Sequence, residues 1–208
     1  MMTVPAFRAR KGSGKPLVVL TAYDAMTTAA AEAAGVDALL VGDSLGMVEL
    51  GYESTLPVTM DEMVHHAKAV SRRRREGLLI ADMPWLSYHL GATAAIENAA
   101  RFVREARADA VKIEGGRNRL EVVRALLDAE IPVMGHLGLT PQSVLKMGGY
   151  KVQGRAKDAA DALVADAEAL AEAGVFSIVL EGMRILKVVG LPMDRTVRVA
   201  LWTGEEQG

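Results

Sequence analysis

The sequence contains no cysteine, which excludes disulfide frameworks and thiolate metal sites. Aromatic residues are scarce, at 4%. Charge nearly cancels, with 24 Lys and Arg against 26 Asp and Glu for a formal net charge of −2. A nucleic-acid binder usually carries a strong basic excess or stripe. The only basic cluster here, Arg72 to Arg75, falls at the end of a predicted helix, where cations favour the negative end of the macrodipole. It reads as a solvated helix end. No apolar stretch approaches the roughly 18 residues that a membrane-spanning helix needs, and the opening MMTVPAFRARKGSGKP lacks the apolar segment of a secretory signal. A cytoplasmic protein is expected. The 208 residues, half of them hydrophobic, suffice for one domain with a substantial core.

Short β-branched runs alternate with longer amphipathic or alanine-rich stretches, the pattern of repeated βα units on a parallel sheet. Strands are predicted at Pro16–Thr21, Ala38–Val41, Leu78–Ala81, Ala110–Ile113, Ile131–Gly135 and Phe176–Leu180. They are continuous apolar runs, as strands covered on both faces should be. Helices are predicted at 24–34, 60–75, 92–108, 117–129 and 157–173. Thr59 and Glu62 form a capping-box pattern ahead of the second. Gly35 and Gly174 follow helical runs, where a left-handed residue is wanted.

Each strand ends on polar residues: Tyr23 and Asp24, Asp43 and Ser44, Asp82, Lys112 and Glu114, His136, then Glu181. Six such ends in a row are the layout of a βα barrel, whose catalytic groups project from the C-terminal ends of the strands. Residues 44–58 and 137–156 read as long loops on that face, of the kind that serve as lids. Their glycines (Gly46, Gly51, Gly138, Gly148, Gly149 and Gly154) permit tight turns near a ligand.

Asp43, Asp82 and Glu114 would converge in a barrel. Three carboxylates, without cysteine or a histidine pair, favour a hard cation, with magnesium the common choice. A 2-oxo acid could chelate it through its keto and carboxylate oxygens. Lys112 and Glu114 point to one face of a strand, so the ammonium could bind a substrate carboxylate or simply pair with a neighbouring acid. His136 is a candidate donor or proton shuttle, or a structural histidine. Glu181 is the candidate general base, given surroundings that tune its pKa toward the working pH. His65 and His66 read as surface.

These residues sit in strings more specific than their types: TAYD (21–24), VGDSLGM (41–47), STLPVT (54–59), KIEGG (112–116), GHLGLTPQS (135–143), GGYKVQGR (148–155) and VLEG (179–182). In order and spacing they resemble the ketopantoate hydroxymethyltransferase family. The resemblance implies an α/β fold, a (β/α)8 TIM-type barrel, that converts 3-methyl-2-oxobutanoate and 5,10-methylenetetrahydrofolate into ketopantoate. It implies Asp43 and Asp82 as magnesium ligands with Glu114 adjoining, and Ser44, Lys112 and His136 as binders of the oxo acid. Glu181 would remove the C3 proton. It also implies a homo-oligomer, commonly a decamer in the family, without nucleic-acid or membrane partners.

After Gly182 the strings stop. Residues 183–208 (MRILKVVGLPMDRTVRVALWTGEEQG) instead resemble a fragment of a dinuclear-zinc aminopeptidase, with Glu205 as base and Glu206 as ligand. The histidine and aspartate ligands of that family have no counterpart motif, so no working zinc site is expected. The division expected is a catalytic barrel over 1–182, truncated after strand six, and an atypical segment over 183–208, a fusion or frameshift. The run Arg195–Trp202 could add a seventh strand, in a register the sequence does not specify. Two further readings stand beside the transferase: a related magnesium-dependent oxo-acid lyase or mutase, and an inactive fragment of the transferase.

Overall fold

The computed structural model describes residues 1–183 and the backbone of Val197–Arg198. Seven parallel strands lie side by side in chain order in one curled sheet. They are β1 (Val19–Thr21), β2 (Ala38–Val41), β3 (Leu78–Asp82), β4 (Ala110–Glu114), β5 (Val133–Gly138), β6 (Ser177–Glu181) and the two-residue β7 (Val197–Arg198). Sequential order in a parallel sheet requires a crossover after every strand. From β1 to β6 the main helices provide it: α2 (Ala25–Ala33), α4 (Met60–Arg73), α5 (Ala92–Ala106), α6 (Leu120–Asp128) and α8 (Lys157–Ala173). β7 answers the register question for the tail, pairing Val197 with Ile178 and Arg198 with Val179.

Local signals account for the helix ends. The Thr59 hydroxyl accepts from Glu62 N while the Glu62 carboxylate accepts from Thr59 N, the reciprocal cap the sequence predicts. Asp24 and Thr27 cap α2 in the same way. Gly35 and Gly174 adopt positive φ just past their helices. The buried positions of α5, Ala95, Ala99, Phe102 and Ala106, recur at helical spacing and lay one stripe on the sheet.

Up to their C-terminal ends the strands are largely apolar, because both faces are covered. Leu39, Val41, Leu79, Ala81, Val111, Ile113 and Val133 face outward, into the core shared with the helices. Ala38, Leu78, Ile80, Ala110 and Met134 face inward and form a separate cluster. Phe7 joins that inner cluster, its ring edge-on to Phe176 at 5.7 Å. It arrives on α1 (Val4–Ala9), a short helix capped by Thr3 and opened by Pro5, which the sequence reading missed.

Three further expectations need correction. The two long loops are partly helical: α3 (Leu45–Val48) lies in the first, and a 3-10 turn (Pro141–Ser143) followed by α7 (Val144–Met147) in the second. Arg74 is no solvated helix end; its side chain is 7% exposed and pairs with Asp109. His66 is only half-exposed, its Nδ1 lying 2.7 Å from the Tyr23 carbonyl oxygen, whereas His65 is exposed as expected. Among the described residues, no helix is long and apolar enough to cross a membrane.

Candidate active site

Strand register does most of the placing. β3 and β4 set Asp82 beside Lys112, and β4 and β5 set Glu114 beside His136. On β5 and β6, Gly138 pairs with Glu181. Residues two apart on a strand share a face, so these side chains continue the inward rows begun by Ile80, Ala110 and Met134. A polar layer therefore stands directly above the apolar inner cluster, at the C-terminal ends of the strands.

The layer is one connected network. Lys112 Nζ lies 2.8 Å from Asp82 Oδ1 and 3.5 Å from His136 Nδ1. His136 Nδ1 is 3.3 Å from Glu114 Oε1, and its Nε2 is 3.1 Å from Glu181 Oε2. Asp82 Oδ2 accepts from the backbone N–H of Asp43 at 3.2 Å. Asp43, Asp82, Lys112, Glu114 and His136 are all buried, while the Glu181 side chain is 30% exposed. Ser44, at the head of α3, shares a 2.8 Å hydrogen bond with the Tyr23 hydroxyl. Two glycines permit close packing here. A Cβ on Gly46 would come within 2.4 Å of Val58, and one on Gly138, at φ +95°, within 2.2 Å of the Glu181 carbonyl oxygen.

Burial and crowding set the charges. Asp43 is pushed up to about 8, by burial first and then by the charges of Asp82 and Glu114. Burial also raises Asp82, against the pull of Lys112. Lys112 loses by burial but gains more from Asp82, Glu114 and Asp43, so its net shift is upward and it stays an ammonium. His136 is opposed by burial and by Lys112, yet its hydrogen bonds to Glu114 and Glu181 raise it to about 9. Glu181 departs from expectation. Burial pushes it up, but the hydrogen bond and charge of His136, with Lys112 behind, bring it net below the ordinary carboxylate value. It is a ready carboxylate at neutral pH, not a base poised near 7.

Among the described residues, no three His, Asp or Glu side chains close around a point as a metal cage. The donor set nevertheless fits a hard divalent cation. Three carboxyl groups stand beside only one ammonium and one imidazolium, and the buried Oδ1 of Asp82 has no hydrogen-bond partner among the described residues beyond the Lys112 ammonium at 2.8 Å. Magnesium commonly takes one or two protein carboxylates and fills its remaining positions with water and substrate oxygens.

The sequence reading missed two functional neighbours. Gln142 donates through Nε2 to Asp43 Oδ2 at 2.8 Å and to the Met83 carbonyl at 2.9 Å. Its backbone N–H donates to Glu114 Oε2 at 3.0 Å. The Tyr88 hydroxyl donates to Gln142 Oε1 at 2.7 Å, and the Arg119 guanidinium lies 5.6 Å over its ring. Gln142 belongs to the string GHLGLTPQS and could have been flagged there; Tyr88 lies in no such string. Glu205 and Glu206 lie outside the described residues.

Comparison with known proteins follows the same lines. A 3-methyl-2-oxobutanoate hydroxymethyltransferase of Koribacter versatilis is 56% identical over 174 residues, 84% of this chain and 59% of its own length. One from Moorella thermoacetica is 53% identical over 180 residues, 86% of this chain and 67% of its own. The chain thus spans about three-fifths to two-thirds of these relatives. In structure, a phosphonopyruvate hydrolase superposes with a TM-score of 0.72 over 96% of this chain and 72% of its own, at 16% identity. That likeness speaks to the fold. The profile of the family described as ketopantoate hydroxymethyltransferase matches residues 1–193. It runs on past Gly182, and the aminopeptidase resemblance of the tail finds no support. With that match over nearly its whole length, the chain belongs to the ketopantoate hydroxymethyltransferase family.

Proposed function

We propose that this chain transfers a hydroxymethyl group from 5,10-methylenetetrahydrofolate to 3-methyl-2-oxobutanoate, giving ketopantoate for pantothenate synthesis. The carrying observation is the continuous buried network from Asp82 through Lys112, Glu114 and His136 to Glu181. Asp43 and Asp82 would hold magnesium, with Glu114 adjoining, and a bound ion would supply Lewis acidity to polarise the substrate carbonyl. Lys112, His136 and Ser44 bind the carboxylate and keto end of the oxo acid. Glu181, ionised and partly open to solvent, takes the C3 proton. The C3 electron pair then forms the new carbon–carbon bond to the folate-borne carbon, whose bonds to the two folate nitrogens break. Water supplies the hydroxyl oxygen, the nitrogens take up the C3 proton and one from water, and tetrahydrofolate leaves. The curled sheet is the larger part of a (β/α)8 barrel, and the protein is a cytoplasmic homo-oligomer. Exposed Trp85, Leu86 and Leu90 on one connection support self-association, which sedimentation velocity reads directly.

Proton removal needs no folate, so it can be tested alone. In D2O with Mg2+, 3-methyl-2-oxobutanoate should acquire deuterium at C3, followed by NMR. Glu181→Gln should slow this about 10²–10⁴-fold, the usual worth of a positioned base, while the variant stays folded. Exchange at the wild-type rate in Glu181→Gln would remove Glu181 from its role. Ketopantoate formed only when folate is added separates the transferase from an oxo-acid lyase.

A further inference from the structure

Reading the carboxylates as a metal site assigns no task to two buried polar side chains beside them. We propose that Tyr88 and Gln142 form a positioning clamp that fixes which oxygens of Asp43 and Glu114 face the cation and the substrate. The proposal rests on the site reading above and goes beyond it by naming what orients the ligands.

The hydrogen bonds close into a ring. The Glu114 backbone N–H donates to the Tyr88 hydroxyl oxygen at 3.2 Å. That hydroxyl in turn donates a hydrogen bond to Gln142 Oε1 at 2.7 Å. Gln142 returns to the same residue, its backbone N–H donating to Glu114 Oε2 at 3.0 Å. The ring determines the amide. With Oε1 taken by a donor, Nε2 must face the two remaining partners, the Asp43 carboxyl group and the Met83 carbonyl, and the carbonyl can only accept. Its two hydrogens are thereby used, and no flipped amide satisfies this set.

Each carboxylate is consequently divided. Asp43 gives Oδ2 to Gln142 and keeps Oδ1 available. Glu114 gives Oε2 to the Gln142 backbone and turns Oε1 toward His136. Asp82 follows the same division without the clamp, with Oδ2 on Asp43 N–H and Oδ1 on Lys112. One oxygen of each acid is thus tied to the scaffold and the other faces the chemistry. Outer-shell partners of this kind typically govern metal affinity by 10–100-fold. Both clamp residues stand on connections from different strands, β3 to α5 for Tyr88 and β5 to α7 for Gln142. The clamp therefore also ties the two loops across the site.

The test measures Mg2+ binding alone by titration calorimetry, at a temperature where circular dichroism shows each variant folded. Tyr88→Phe should raise the Mg2+ dissociation constant about 10-fold and Gln142→Met up to about 100-fold. The double variant should be no worse than Gln142→Met, since the two act as one unit. A merely structural role would lower the melting midpoint and leave the dissociation constant alone; that result, or losses that multiply in the double variant, overturns the clamp. If the wild type fails to take up Mg2+, and Asp43→Ala is indistinguishable from it, the metal reading falls instead. The clamp is then decided by the side-chain NH2 resonances of Gln142 in 15N-labelled protein. They should be two separate, slowly exchanging signals that shift or merge in Tyr88→Phe, and signals unmoved by that substitution overturn the clamp.

Discussion

Ile80 and Asp82 lie two residues apart on β3 and face the same way, as do Ala110 and Lys112 on β4, and Met134 and His136 on β5. All six are buried, and all six share one continuous inner face. The lower member of each pair packs toward Phe7 and Phe176; the upper carries charge or can carry it. Burying an apolar side chain of this size stabilises by about 1.5–3 kcal/mol. Burying a charge costs several kcal/mol, recovered only through a close partner. The lower layer holds the fold together, while the upper layer is tolerated because each charge has a neighbour of opposite sign.

This contrast can be broken most forcefully at Asp82. Asp82→Ala leaves Lys112 buried without its 2.8 Å partner and should cost about 3–5 kcal/mol in urea unfolding. Replacing both residues, as Asp82→Leu with Lys112→Met, should be neutral or stabilising by about 1–4 kcal/mol while abolishing deuterium exchange at C3. A double variant as unstable as the single one would mean the pair itself contributes stability. In the lower layer, Ile80→Val should cost only about 0.5–1.5 kcal/mol and leave exchange near the wild-type rate.

The smallest effect is expected far from either layer, at Glu32. Its carboxylate accepts from the backbone N–H groups of Glu76 and Gly77 at 2.9 and 3.0 Å. Burial pushes this group up, but those hydrogen bonds leave it net below its ordinary value of 4.5. The folded state therefore holds the proton less tightly than the unfolded chain. The stability Glu32 contributes is present above pH 4.5 and is lost as pH falls through its lower folded value. For a half-exposed group that amounts to about 1 kcal/mol, below the 1.5–3 of a buried charged hydrogen bond. Glu32→Gln should trail the wild type at pH 7 and converge with it in acid.

The parts of the fold visible in the sequence were those carried by local pattern. Strand positions followed from unbroken apolar runs, and the cap at Thr59 from two residues three apart. Asp82, Lys112, Glu114, His136 and Glu181 were legible because parallel strands of similar length finish together, so strand-end residues meet whatever their separation in sequence. Residues joined only by tertiary packing were not. Gln142 reaches Asp43 across 99 positions, and Arg74 reaches Asp109 across 35. Phe7 plugs the inner layer from a helix of six residues, too short to announce itself by periodicity. The direction of the Glu181 shift was hidden for a related reason. It depends on His136 standing 3.1 Å away, on the neighbouring strand.

The register that pairs Asp82 with Lys112 and Glu114 with His136 also makes the chemistry an inspector of the fold. Sliding β4 by one residue against β3 and β5 would turn Lys112 and Glu114 out among the helices and bring Val111 and Ile113 inward. The His136–Glu181 and Asp43–Asp82 contacts would survive, but without the Lys112 and Glu114 links that join them. Specific activity in a preparation should therefore count correctly threaded molecules, each fully competent or wholly inert, instead of grading how well each one has folded.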